Sequence, residues 1–231
     1  MPRSLQPHYV SNARWDSPEK VESRSITIIN LFRDTFGVSS IPEEKQYWTM
    51  CGAHFDKHGA LKGEFGHLLK SGFIQPSQFH GVDREEVIIQ RNQQIYPDAE
   101  WHHGDFLSTM EDYENFNPAV INYDGVMQPK FGSRYLKSIM KFVDFNVEGE
   151  LLLVANFLLI NPYTHNPDLV FSIDDTIGML FGDYYFPDHW RMVPQAYSYG
   201  TGRGHNLMGV LMFVKKSHDP DNISITENRR I

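Results

Sequence analysis

Several things this chain has little of narrow what it does. It has one cysteine, Cys51, in 231 residues. That excludes a disulfide within the chain and any cage of cysteine ligands around a metal. Cations are scarce as well: 21 Lys and Arg stand against 29 Asp and Glu, a formal charge of −8. Domains that coat themselves in nucleic acid are usually basic, so that class is disfavoured. The apolar run "LLLVANFLLI" (151–160) is about half of what a bilayer-spanning helix needs. The N-terminus, "MPRSLQPHYVSNARW", has no apolar stretch resembling a signal peptide, so a cytoplasmic protein is the expectation. No G-x-G-x-x-G follows the first strand-like segment, which disfavours a nicotinamide-dependent oxidoreductase.

What is present is an ordinary globular composition, 41% hydrophobic and 13% aromatic. Helical and strand-like segments alternate along it. "SPEKVESRSITIINLFRDTFG" (17–37) reads as a helix, with Ser17 to cap it, Pro18 in the first turn and Gly37 at the stop. "KQYWTMCG" (45–52) reads as a strand and "LKGEFGHLLKSGF" (61–73) as a helix. Then come "QFHGVD" (78–83), a strand, and "REEVIIQRNQQIY" (84–96), a helix. "AEWHHGD" (99–105) and "PAVINYDG" (118–125) are further strands. "GSRYLKSIMKFVDF" (132–145) is an amphipathic helix, "GELLLVANFLL" (149–159) a fully buried strand, and "SIDDTIGMLFGDYY" (172–185) a helix.

The last third changes character. "WRMVPQAYSYG" and "NLMGVLMFVKK" flank the glycine-rich "TGRGH" (201–205), the signature of a β-hairpin. The expected architecture is α/β: a doubly wound, mostly parallel seven-stranded sheet, helices on both faces, closed by an antiparallel C-terminal hairpin. Residues 17–217 would form one domain, preceded by an arm (1–16) and followed by a polar tail (218–231).

Ligands of open α/β sheets bind outside the carboxyl ends of the strands. Strand one ends at Cys51-Gly52-Ala53, and Gly52 admits close approach to the backbone. Strand two ends at Asp83, with Arg84 next to it. Strand three ends at Gly104-Asp105-Phe106, strand four at Asn122-Tyr123-Asp124-Gly125, and strand five near Asn156. A carboxylate such as that of Asp83 has two oxygens that match a ribose 2′,3′-diol; its alternative role is a helix N-cap. Asp105 suits an adenine amino group, with Phe106 as apolar contact, or else caps the 106–113 segment. Gly63 and Glu64 begin a helix whose N-terminus can hold a carboxylate.

In this order the features resemble the class I S-adenosylmethionine-dependent methyltransferases over roughly residues 45–216. "MCGAHFDKHG" stands at the family's glycine-rich first motif, with Gly52 and Gly59 in place of its usual closer glycines. The acid ending strand two matches Asp83 in "GVDRE". The acid after strand three matches Asp105 in "HHGDF", and "NYDG" stands after strand four. The hairpin at 190–216 separates this family from nicotinamide-binding Rossmann folds. The resemblance implies S-adenosylmethionine as cofactor, contacted by Cys51, Gly52, Ala53, Glu64, Asp83, Arg84, Gly104, Asp105, Phe106 and Asn122. It implies methyl transfer to oxygen or nitrogen near Asn122, Tyr123 and Asp124, of which Asp124 is either a base or positioning group or a turn residue.

Neither the Asn/Asp-Pro-Pro-aromatic motif of amino-methylating nucleic-acid enzymes nor the Pro-Cys of cytosine-C5 enzymes is present. A small-molecule acceptor is therefore favoured over nucleic acid. A methyltransferase-like binding module without catalysis is the alternative class. His54, Asp56 and His58 share one loop, but a metal is not expected from so common a combination. His102 and His103 are adjacent in a strand and point to opposite faces. Cys51 is a small apolar filler. Lys130, Arg134, Lys137 and Lys141 share one helical face, and Lys215 and Lys216 end the last strand; each set is either solvated surface or a phosphate contact.

Overall fold

A computed structural model describes residues 18–51, 63–124, 129–158, 178, 190–201 and 204–215. Outside them lie the arm and tail, Gly52, Ala53, the loop histidines His54 and His58 with Asp56, Gly125, the tip of the hairpin, Lys216, and all but Gly178 of the helix expected at 172–185.

Helix α1 (Pro18–Phe36) has Pro in its first turn, where no N–H is needed, and Gly37 follows it at φ 71°, a left-handed stop open to glycine. Strand β1 (Gln46–Met50), helix α2 (Gly63–Lys70), strand β2 (Phe79–Asp83), helix α3 (Glu86–Ile95) and strand β3 (Glu100–His103) follow. Then come α4 (Phe106–Glu111), β4 (Pro118–Tyr123), α5 (Pro129–Asn146) and β5 (Leu151–Leu158). Strands β6 (Trp190–Thr201) and β7 (Gly204–Lys215) form the hairpin.

The strands make one seven-stranded sheet in the order β3-β2-β1-β4-β5-β7-β6. Pairings β1–β2, β2–β3, β1–β4 and β4–β5 are parallel, whereas β7 runs antiparallel to both β5 and β6. The winding reverses between β1 and β4, which places the crevice of a doubly wound sheet at their carboxyl ends.

Alternation along the strands sorts side chains onto two faces. One core holds Tyr47, Phe79, Trp101, Val120, Leu152 and Val154 together with Ile28 and Phe32 of α1, Phe65 of α2 and Ile89 of α3. The other holds Trp48, Val82, Ile121, Tyr123, Leu153 and Ala155 with Phe106 of α4 and Ile139 of α5. Gly81 permits this closeness in the middle of β2: a Cβ there would lie 2.9 Å from two ring carbons of Trp101 and 3.0 Å from Cys51 Sγ.

The expected strands and helices are present within the described residues, with ends that differ by a few positions. Asp105 is the side-chain N-cap of the short helix α4, accepting from Leu107 N (3.2 Å) and Ser108 N (3.4 Å). A short 3-10 turn at Pro76–Gln78 was not expected from the sequence. It is built by Gln78, whose buried amide donates to Pro42 O (2.6 Å) and Lys45 O (3.1 Å) and whose Oε1 accepts from Gln75 N (2.7 Å).

Candidate functional site

Four groups of side chains stand out along the parallel strands, the first two at the strands' carboxyl ends. The first is Asp83, the last residue of β2. Its Oδ1 accepts from Glu85 N at 2.8 Å, the local turn that an Asp makes two residues before a helix, while Glu85 occupies the N-cap position of α3. Burial pushes the Asp83 carboxyl up to about 6, outweighing the backbone N–H groups of Glu85 and Arg84 that favour its ionised form. Among the described residues no Lys or Arg forms an ion pair with it, and His103 nearby adds a smaller pull toward the ionised form.

The second group surrounds Asp105. Tyr135 of α5 donates to Asp105 Oδ1 at 2.6 Å and accepts from Leu107 N at 2.8 Å, and the exposed Arg84 forms an ion pair with Oδ2. Burial alone would raise this carboxyl; the bonds from Tyr135 and Arg84 outweigh it and hold Asp105 below the usual carboxylate range. Phe106, Tyr123 and Tyr135 form a row of stacked rings behind it, with centroids 6.4 and 5.4 Å apart.

The third group is a buried polar cluster on the α1–α3 face, under the β1/β4 crevice. Glu64, 1% exposed, sits in the first turn of α2, where the helix dipole favours an acid. Its Oε1 accepts from the Tyr47 hydroxyl. The Asn122 amide lies 2.9 and 2.8 Å from its two oxygens and 3.3 Å from Thr49 Oγ1. Asn156 Nδ2 in turn donates to Asn122 Oδ1 at 2.8 Å. Arg24, 4% exposed and delivered by α1, binds Glu64 Oε2 at 2.7 Å and forms a second ion pair with Asp124 Oδ2. Buried charges demand such partners. Burial, with Glu64 beside it, raises the Tyr47 phenol well above its ordinary value, so Tyr47 remains a donor.

On the opposite face Trp48 covers a pair of imidazoles. His80 Nδ1 and His102 Nε2 are 3.2 Å apart, one donating and the other accepting. Trp48 stacks on both, at centroid distances of 4.5 and 5.2 Å. Burial lowers His80 to about 3 and lowers His102 as well, so the pair is neutral. His103 points the other way, 3.1 Å from Arg84 O.

The structure thus distributes the residues singled out from the sequence. Asp83, Arg84, Gly104, Asp105 and Phe106 gather at the ends of β2 and β3. Glu64, Asn122 and Asp124 meet in the buried cluster, and Cys51 is buried at the end of β1, its N–H donating to Val82 O at 2.9 Å. Tyr123 lies on the other face, where burial pushes its phenol up to about 12. Lys215 is no phosphate contact: it is 9% exposed and donates to Val147 O (2.6 Å) and Asp144 O (3.2 Å) at the end of α5. Arg134 and Lys141 on α5 are exposed. Among the described residues there is no group of three or more metal-ligating side chains. No described helix is long and apolar enough to cross a membrane.

Sequence reading missed Arg24, Tyr47 and Thr49 as members of the cluster. For Arg24 a signal exists: it lies four and eight residues before Ile28 and Phe32, both buried, and so shares the apolar stripe of its helix. A charge on that stripe requires a buried counter-charge.

No family model and no curated protein matches the sequence. Solved structures do. The plantazolicin methyltransferase BamL, in complex with a triazolic desmethylPZN analog and SAH, is 9% identical over 92% of this chain and 92% of its own, with a TM-score of 0.57. An O-methyltransferase from Bacillus cereus in complex with SAH is 11% identical over 94% and 93%, with a TM-score of 0.48. A SAM-dependent methyltransferase from Aquifex aeolicus is 10% identical over 92% and 100%, with a TM-score of 0.47. Of these three only BamL exceeds a TM-score of one half, and at such identity it speaks to the shared fold.

Proposed function

From the premise that this chain has the fold of the class I S-adenosylmethionine-dependent methyltransferases, we propose that it binds S-adenosylmethionine and methylates an oxygen or nitrogen of a small molecule. The observation that carries the reading is Asp83. A carboxyl raised to about 6 by burial, at the end of the strand next to the switch point, is costly to the folded protein. Two ligand hydroxyls donating to it would offset that cost, and a ribose diol presents two at matching spacing. The residues therefore fit the cofactor at its ribose end.

Around that anchor each residue has a part. Arg84 and Tyr135 hold Asp105 in one orientation at the end of β3, where its ring neighbours Phe106 and Tyr123 offer an apolar wall for an adenine. Gly104, which follows β3 with a φ of 159°, and Cys51, buried just past β1, border the same strand ends. Glu64 and Asn122 secure the crevice floor between β1 and β4. Asp124, just past β4 and ion-paired with Arg24, would orient an acceptor or take its proton. When bound, the cofactor supplies an electrophilic sulfonium methyl group. The protein's contribution is alignment and exclusion of water. The acidic net charge and the missing nucleic-acid motifs support a small-molecule acceptor.

Calorimetric titration with S-adenosylmethionine and S-adenosylhomocysteine tests the reading. Binding of either is expected, with Asp83→Ala weakening it about tenfold or more, as loss of hydrogen bonds to a charged group implies. Because the diol favours the ionised carboxylate, wild-type affinity should also fall as the pH drops through about 6, and Asp83→Ala should remove that dependence. No heat from either ligand at millimolar concentration would sink it.

A further inference from the structure

The ion bridge between α1, α2 and the end of β4 has a role beyond packing. Resting on the methyltransferase reading, we propose that Arg24 is a positioning residue: it fixes the carboxylates of Glu64 and Asp124 at the β1/β4 crevice, so that α1, which precedes the first strand, completes the cofactor site. Three observations converge. One guanidinium reaches acids from two different elements, Glu64 of α2 and Asp124 beyond β4. Its planar fork can serve both at once, which a lysine ammonium on a single flexible stem cannot reproduce. Beside the small Ser25, the same buried face of α1 is made of apolar residues, with Ile28 1% and Phe32 3% exposed. A hydrophobic residue would pack there as well, since replacing buried ion pairs by apolar groups is often neutral or stabilising.

Further, the bridge extends through Glu64 to Asn122, and from Asn122 to Asn156, so one cation sets side chains on α2, β4 and β5. Asn122, at the centre of this chain of bonds, pairs with Thr49 across the β1/β4 seam where the winding reverses. Without Arg24 the two carboxylates, both drawn to one cation in the native structure, would lose their shared counter-charge. Left buried and close together, the two would repel, which favours protonation of one of them.

The test uses the full chain and S-adenosylhomocysteine as probe, by calorimetry at pH 7 and pH 9, with thermal melts alongside. Arg24→Lys is expected to melt cooperatively and bind the probe about tenfold more weakly, having lost one charge-assisted bond. Arg24→Met is expected to bind more weakly still and to gain a pH dependence between 7 and 9 that wild type lacks. Adding Glu64→Gln to Arg24→Met should abolish that dependence. A role confined to packing would lower the melting temperature and leave both affinity and pH profile in place. Variants that bind within twofold of wild type, with flat profiles, overturn the proposal. If Arg24→Met does not fold, Arg24→Lys decides alone, and an unchanged affinity overturns it. Wild type that binds neither S-adenosylhomocysteine nor S-adenosylmethionine overturns the methyltransferase reading and this inference with it.

Discussion

Two residues of β2 have their protonation equilibria shifted in opposite directions by burial. His80 is 1% exposed and its imidazole is lowered from 6.5 to about 3 by burial. The unfolded chain therefore takes up a proton below pH 6.5 that the fold refuses, so the stability His80 contributes is present above 6.5 and is lost as pH falls toward 3. Asp83, raised from 3.8 to about 6, does the reverse: its contribution is full below 3.8 and lost as pH rises through 6. The two slopes oppose each other between pH 6 and 4, so a comparison of variants is the informative measurement. Urea unfolding of His80→Gln and wild type at pH 7.5, 6, 5 and 4 should show wild type losing about 1.4 kcal/mol more per pH unit below 6.5. Parallel curves would mean that His80 is protonated in the fold. None of this was legible in the sequence. His80 occupies an alternating strand as any residue of either face would, and only the arrival of Trp48 and His102 beside it makes it a buried, neutral group.

Elements were easier to read than their ends. The short buried runs of β1, β2 and β4 and the capping signals of α1 place each element, because those signals are local. Lys215 illustrates what local signals leave out. It closes β7, and from sequence it was as good a surface cation as Lys216. In the structure its ammonium satisfies carbonyls at the end of α5, where the helix dipole favours a cation, and it lies 3.9 Å from Asp144 Oδ1. Trp190 Nε1 donates to that same carboxylate oxygen at 2.9 Å, so hairpin and helix are tied at one point. Lys215→Met should cost about 2 kcal/mol, which for a chain of this size lowers the melting temperature by roughly 4–8 °C. S-adenosylhomocysteine affinity should not change, because the contact lies away from the crevice. A variant with an unaltered melt would show that solvent, not Lys215, satisfies the end of α5.

At the scale of the whole molecule, the order of acids along the chain pointed to the sheet and to Asp83, since strand-end position follows from topology alone. The buried cluster was not readable in that way. Tyr47 and Asn122 sit like ordinary core positions, and the partner they share, Glu64 of α2, lies 17 and 58 residues away from them. Arg24 and Asp124 are 100 residues apart and Asn122 and Glu64 are 58 apart. That separation has a kinetic consequence. Such bonds close only after the parallel β1–β4 pair has formed, and long-range parallel pairing is slow because loop entropy is lost before contacts repay it. The expectation is a crevice assembled late, on the native side of the folding barrier. A ligand that grips it should slow unfolding and leave the refolding rate nearly unchanged, a distinction that stopped-flow chevrons with and without S-adenosylhomocysteine would show directly. For a newly made chain, the cofactor would then act as a latch on a finished molecule and not as a template for building one.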